Sequence, residues 1–286
     1  MKQKFSQSDF TRSMLPQSRK AIFRDVMQLH WQKLLLLGAI LLVFYIPILL
    51  SDLNYDSQVS AIYQAVLDSG QAEAAALAVI QLDLIRSTIR VFLLMLLAIG
   101  AAGIIRVIRQ YAWEENVHIP TDFAKGIRDN AKQTISLAAL TGILYVLCLT
   151  VFYTADSYRS TLISILSLLP IAISLLLVLP MVAISLVMVP VYTNRLGTTL
   201  KNAFFVYTRN PLKHLGFLLL CLAIWVPSLL PNAYCHLFGS IAAVLLTPMA
   251  FLAWTLFCYE RLDQHFNPLV APELIGKGIY YNKKTE

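Results

Sequence analysis

Residues able to carry chemistry crowd into one polar connection, "WEENVHIPTDF", where Glu114, Glu115, His118 and Asp122 supply three carboxylates and an imidazole. Such groups do general acid–base work when held within hydrogen-bond reach of a substrate. The enzyme patterns that use them fail here. An E-E-x-x-x-R intramembrane protease pattern would need arginine where Ile119 stands, and the H-x-x-x-x-D acyltransferase spacing is one residue short between His118 and Asp122. No H-E-x-x-H, G-x-S-x-G or phosphate-binding glycine loop occurs. His30, His118, His214, His236 and His265 are scattered without metal-ligand spacing, and Cys148, Cys221, Cys235 and Cys258 form no C-x-x-C. The expectation is no catalytic residue, no metal and no cofactor: not an enzyme.

Two other groups are candidates for recognition and movement. Asp83, Arg86 and Arg90 are three and four residues apart, so they share one helix face. There they can meet an anionic or hydroxylated ligand, or pair with each other at a membrane interface. The stretch "SLLPIAISLLLVLPMVAISLVMVP" places Pro170, Pro180 and Pro190 ten residues apart. Each proline removes an amide donor and crowds the carbonyl four residues back. In a membrane the freed groups must find other partners, and Ser174 and Ser185 are near. Pro170 and Pro180 are candidate hinges, or a static bend; Pro190 ends the helix.

The elements that position these residues are membrane spans. The chain has 286 residues, 58% of them hydrophobic and 14% charged, whereas soluble domains carry about 25% charged residues. Crossing about 30 Å of hydrocarbon takes roughly 20 apolar residues in a helix. Six runs qualify, at 33–51, 90–108, 133–153, 162–191, 215–231 and 237–259, and none carries Asp, Glu, Lys or Arg away from its ends. That pattern argues against a buried proton relay. Twenty of the 23 Lys and Arg residues fall on the side of both termini, leaving Arg86, Arg90 and Arg159 on the other. The positive-inside rule then predicts an all-α, six-span protein with both termini cytoplasmic. The net charge of +7 is spread around spans rather than gathered into a nucleic-acid surface.

Outside the spans, the lead 1–32 carries the basic amphipathic stretch "SRKAIFRDVMQLHWQK", expected to lie on the inner leaflet with Trp31 as anchor, or to dock a partner. The extracytoplasmic segment 52–89 holds a short helix ended by Gly70 and a second helix running into span two. The connections 109–132 and 192–214 each carry a further amphipathic helix, with Thr121 capping the first. Their apolar and basic residues Phe123, Ile127, Arg128, Leu200 and Phe204 are candidate partner contacts on the cytoplasmic side, as both connections close on Asn and Lys before a span, hinting at related hairpins. A cytoplasmic tail, 260–286, completes the chain.

The segment "DFAKGIRDNAKQTISL" resembles the one that follows the second span in YesL-like bacterial membrane proteins, and "TTLKNAFFVYTRNPLKHLGFLLL" resembles their later segment, in which a basic amphipathic helix runs into Asn-Pro before a span. The similarity extends over about residues 90–220. It implies a bacterial plasma membrane and an association with carbohydrate uptake, with ABC-type sugar transporter subunits as partners beside the lipid bilayer itself; it supplies no catalytic residue. The expected function is a non-catalytic accessory or scaffold of such a system. A small-solute permease or substrate-binding subunit is the alternative, and an unrecognised membrane enzyme the next. An ordinary ABC permease is disfavoured because neither inner connection shows its E-A-A…G pattern.

Overall fold

A computed structural model describes residues 16–70, 72–157, 161–230 and 232–280. Assignments falling on 1–15, on 158–160 with Arg159, on Pro231 and on 281–286 lie outside the described residues. Helices account for the architecture, with no strand among the described residues: α1 (Arg19–Ser69), α2 (Ala72–Ala112), α3 (Ile119–Ser157), α4 (Thr161–Ile173), α5 (Leu179–Met188), α6 (Leu196–Arg209), α7 (Pro211–Leu222), α8 (Ala233–His265) and α9 (Asn267–Val270). A π turn, Ser174–Val178, joins α4 to α5, and a 3-10 segment, Ala223–Leu229, extends α7. Six of these helical stretches are long and apolar enough to cross a membrane. The chain is an all-α, multi-pass membrane protein.

Its helices expose apolar side chains along their length, as at Ile143, Leu147, Val151, Ile165, Leu168 and Leu175. In water such a belt would be a liability; against hydrocarbon it is the favoured surface. The interior is built around α1, α2, α5 and α8, with Leu34, Leu37, Ile108, Ile184, Met188 and Leu252 fully enclosed. Small residues set the closest approaches. A Cβ on Gly38 of α1 would stand 2.3 Å from the Leu245 carbonyl oxygen of α8, so only glycine permits that crossing.

Several elements are longer than the sequence suggests. The lead is no separate surface helix: α1 runs 51 residues from the Ser18 cap, whose hydroxyl accepts the Ala21 amide at 3.2 Å, to Gly70 at φ 71°. At 1.5 Å per residue it is about 75 Å long, so it projects beyond the bilayer at both ends and absorbs the short outer helix. No glycine or proline interrupts it before Gly38, which is why the basic lead continues into the span. The helix expected in connection 109–132 is likewise the beginning of α3, and the cap falls at His118 rather than Thr121. There the Asp122 carboxylate accepts the His118 amide at 2.8 Å, and Pro120 sits in the first turn, where it costs no hydrogen bond.

The two inner connections consequently take different paths. α3 passes straight through Asn130, which is followed by Ala131, whereas Pro211 after Asn210 separates α6 from α7. α6 turns back to pack against α5, burying Thr199, Ala203, Val206 and Tyr207.

Candidate functional site

Asp83, Arg86 and Arg90 do come together, and the structure adds a partner from another span. At the end of the bundle away from the termini, Asp52 of α1 accepts a hydrogen bond from Arg90 of α2. Its carboxylate also lies 3.9 Å from Arg86 and 3.8 Å from the His236 Nε2 of α8. Arg86 donates to Asp83 at 2.6 Å and stacks on Tyr55, its guanidinium carbon 3.8 Å from the ring centre. Tyr153 of α3 donates its hydroxyl to the other Asp83 oxygen at 2.7 Å. His236 Nδ1 contacts the Ser228 carbonyl at 2.8 Å; a carbonyl only accepts, so that nitrogen carries the proton.

Four helices and the 3-10 segment are thus tied by one network in which two guanidiniums match two carboxylates. Asp52 and Asp83 are both buried, which makes the pairing compulsory rather than decorative. Both arginines point to carboxylates of the chain itself, so the arrangement serves as an interhelical lock. Asp52, Tyr55, Tyr153 and His236 were not singled out by sequence. Asp52 follows an apolar run directly, yet nothing in one sequence indicates which arginine on another helix it meets.

The proline-rich span is broken in a specific way. Between Pro170 in α4 and Pro180 at the start of α5, the chain widens into the π turn, where the Leu179 amide bonds to the Ser174 carbonyl five residues back. The Leu176 carbonyl, four residues before Pro180, receives no amide from it. Neither expected serine supplies the missing donor: Ser174 Oγ lies 3.3 Å from Cys148 Sγ, and Ser185 Oγ is buried without a partner. The donor is the Tyr207 hydroxyl, which reaches from α6 to the Leu176 carbonyl. On the other side of the span, Trp254 of α8 donates to the Ala183 carbonyl at 2.9 Å. Pro190 follows α5 in a turn, its carbonyl accepting Arg109 at 3.4 Å.

This geometry couples Tyr207 to Pro180. Tyr207→Phe is expected to lower stability by about 1 kcal/mol, as interhelical hydrogen bonds in membranes do. In a Pro180→Ala background the alanine amide can serve Leu176 from within the helix, so the same change should cost less. Unfolding of the four proteins in lipid–detergent mixtures measures the coupling, and equal costs in both backgrounds would refute it.

The candidate contact residues at the end carrying the termini separate into two sets. Phe123 packs on α2, where a Cβ on Gly103 would stand 2.4 Å from its ring, and Leu200 packs beside Ile105, Leu137, Val182 and Val189. Ile127 is half-buried. Arg128 is exposed, 3.4 Å from neighbouring Asp129, and Phe204 is 43% exposed. No group of three or more His, Cys, Asp or Glu side chains suited to a metal occurs among the described residues.

Comparison of the chain with protein-family models, with curated proteins and with solved structures finds no match.

Proposed function

We propose that the chain is a non-catalytic accessory or scaffold protein of a membrane transport system, with both termini cytoplasmic. The supporting observation is the surface at the end of the bundle that carries the termini. There α6 buries one side against α5 and leaves Phe204 open on the face of Lys201, with Arg209 over the neighbouring Phe205 ring, while α9 exposes Leu269 and Val270. Apolar side chains among cations suit a partner with an apolar, acidic face. The resemblance to YesL-like proteins directs the choice of partner to ABC-type sugar transporter subunits in a bacterial plasma membrane.

The test is gentle extraction of the tagged chain from its native membrane into lipid particles, with mass spectrometry of what co-purifies. Recovery of permease or ATPase subunits, lost in Phe204→Ala, supports the scaffold. A lone chain carrying a stoichiometric small molecule sinks it.

The broken span favours a second reading, a small-solute permease or substrate-binding subunit. Interrupted helices free carbonyls that can coordinate a solute, and here the Leu176 carbonyl would be offered when the Tyr207 hydroxyl leaves it. Under this reading Pro180→Ala alters transport-linked activity more than Pro190→Ala, since Pro190 lies past the end of α5. Equal activity of the two at matched expression eliminates the hinge.

A further inference from the structure

α7 and α8 belong to consecutive spans that run in opposite directions, and Phe217 of α7 stacks on Phe257 of α8 with ring centres 4.5 Å apart. Lys213 stands four residues before Phe217 and Arg261 four residues after Phe257, so each lies one turn beyond the stack on its phenylalanine's face. Because the helices are antiparallel, both turns lead toward the end of the bundle that carries the termini. The two cations therefore flank one seam, and the Arg261 guanidinium carbon lies 5.2 Å from the Phe257 ring centre. A third cation comes from the end of α6. Arg209, 4.7 Å over the Phe205 ring, directly precedes Asn210, whose side-chain nitrogen is 3.4 Å from His265 Nε2 of α8.

No acid balances this set. Residues 157–259 contain neither Asp nor Glu. Lys213, Arg261 and Arg209 have no ion pair among the described residues, whereas Arg19, Arg86, Arg90, Arg106 and Arg109 each have one. Of the acids near Arg261 on α8, Asp263 is held by Arg19, and Glu260 is exposed without an ion pair among the described residues. Like charges gathered in this way repel, and an anion set among them removes that cost. The surroundings indicate which anion. Leu212, 82% exposed, begins an open stripe on α7 with Leu219 and Leu220, at i, i+7 and i+8. That stripe is part of the apolar belt facing hydrocarbon, so a ligand beside Lys213 has lipid chains directly next to it.

We propose that Lys213, Arg261 and Arg209 hold the phosphate of an anionic phospholipid whose acyl chains lie along Leu212, Leu219 and Leu220. Basic clusters between spans at the membrane surface attract such headgroups, each Lys or Arg adding to the attraction. Guanidinium and ammonium groups also donate charge-assisted hydrogen bonds to phosphate oxygens. Arg209 follows Tyr207 by two residues, so the lipid braces the same end of α6 that supplies the donor to the Leu176 carbonyl. The site leaves Lys201 and Phe204 to the partner surface and does not depend on the scaffold reading.

Native mass spectrometry of the full chain in mild detergent tests this with phosphatidylglycerol, phosphatidylcholine of the same acyl chains, glycerol phosphate and a polyglutamate peptide. Phosphatidylglycerol should bind about twentyfold tighter than phosphatidylcholine. Lys213→Gln and Arg261→Gln should each weaken it about fivefold, and the double variant should bring it to the level of phosphatidylcholine. Lys125→Gln, which removes another exposed cation, should leave the preference unchanged. Lys213 is itself exposed, so its variant remains informative if Arg261→Gln disturbs the aromatic stack. Equal binding of the two lipids overturns the proposal, and Lys213-dependent binding of the peptide would then give the cations to an acidic protein face. A preference that Lys213→Gln does not reduce, or that Lys125→Gln reduces as much, overturns it too, since diffuse charge would suffice. Glycerol phosphate binding as tightly as phosphatidylglycerol would replace the lipid with a soluble phosphate.

Discussion

Asp52→Asn is expected to lower stability by about 3 kcal/mol, because it strands a cation in the packed end of the bundle. Asp52 is 3% exposed and is the carboxylate that Arg90 reaches; Arg86 has Asp83 as a second partner, but Arg90 has no other ion pair among the described residues. An amide oxygen can still accept a hydrogen bond, but it no longer balances the guanidinium charge. The diagnostic comparison is the double variant Asp52→Asn with Arg90→Gln. Removing both charges should restore about half or more of the loss, since a neutral polar pair costs far less to bury than one uncompensated ion. Asp83→Asn should cost about 1 kcal/mol, as Arg86 retains Asp52 nearby and Tyr153 retains an acceptor. Unfolding of the three purified variants and the parent chain in lipid–detergent mixtures measures these differences. A double variant no more stable than Asp52→Asn alone would show that charge balance is not what the network provides.

The six spans are legible in the sequence because bilayer thickness imposes a length on apolar runs, and ionisable residues at their ends mark where each run stops. Continuity between a span and its neighbouring polar segment is not legible in that way. Residues 18–33 show an amphipathic pattern that equally suits a helix lying on a surface and the projecting end of α1. What decides between them is packing: Ile22 and Val26 are enclosed with the ends of α2 and α8, which no local pattern records. The bend at Pro180 is readable from residue type alone, since the missing amide follows from the covalent structure. The compensating donor is not, because Tyr207 lies 31 positions from Leu176 and its spacing marks it only as part of an apolar helix face. Arg86 and Asp83 share a face through local helix geometry, so their pairing can be anticipated from three-residue spacing. Asp52 with Arg90, and Tyr153 with Asp83, depend on how helices cross.

Asp263→Ala should release the C-terminal segment from the opposite end of the bundle. Asp263, in the last turn of α8, accepts Arg19 at 2.8 Å, the Asn267 side-chain amide at 2.8 Å and the Gly276 amide at 3.3 Å. Arg19 also donates to the Lys277 carbonyl at 2.7 Å, and the Tyr280 amide donates to the Pro16 carbonyl at 3.0 Å, so the two ends of the described chain are latched through one carboxylate. Deleting it leaves Arg19, 7% exposed, without a counter-charge and leaves two donors unmet. The segment can relieve that by undocking, giving up the contacts of Lys277 and Tyr280 but none within the spans' own packing, so the expected loss of about 3 kcal/mol falls on local opening rather than on the spans. About 3 kcal/mol corresponds to roughly a hundredfold rise in the open population. Tryptic cleavage after Lys277 reads it directly, because that lysine is held against the Trp113 ring at 3.9 Å while the segment is docked. Faster cleavage at this site with an unchanged thermal transition is the expected pair of results. Adding Arg19→Gln should recover part of the protection by removing the stranded charge. If Asp263→Ala is cut no faster than the parent chain, the latch resides elsewhere, and the contacts of Lys277 with Trp113 and Glu115 become the elements holding the tail.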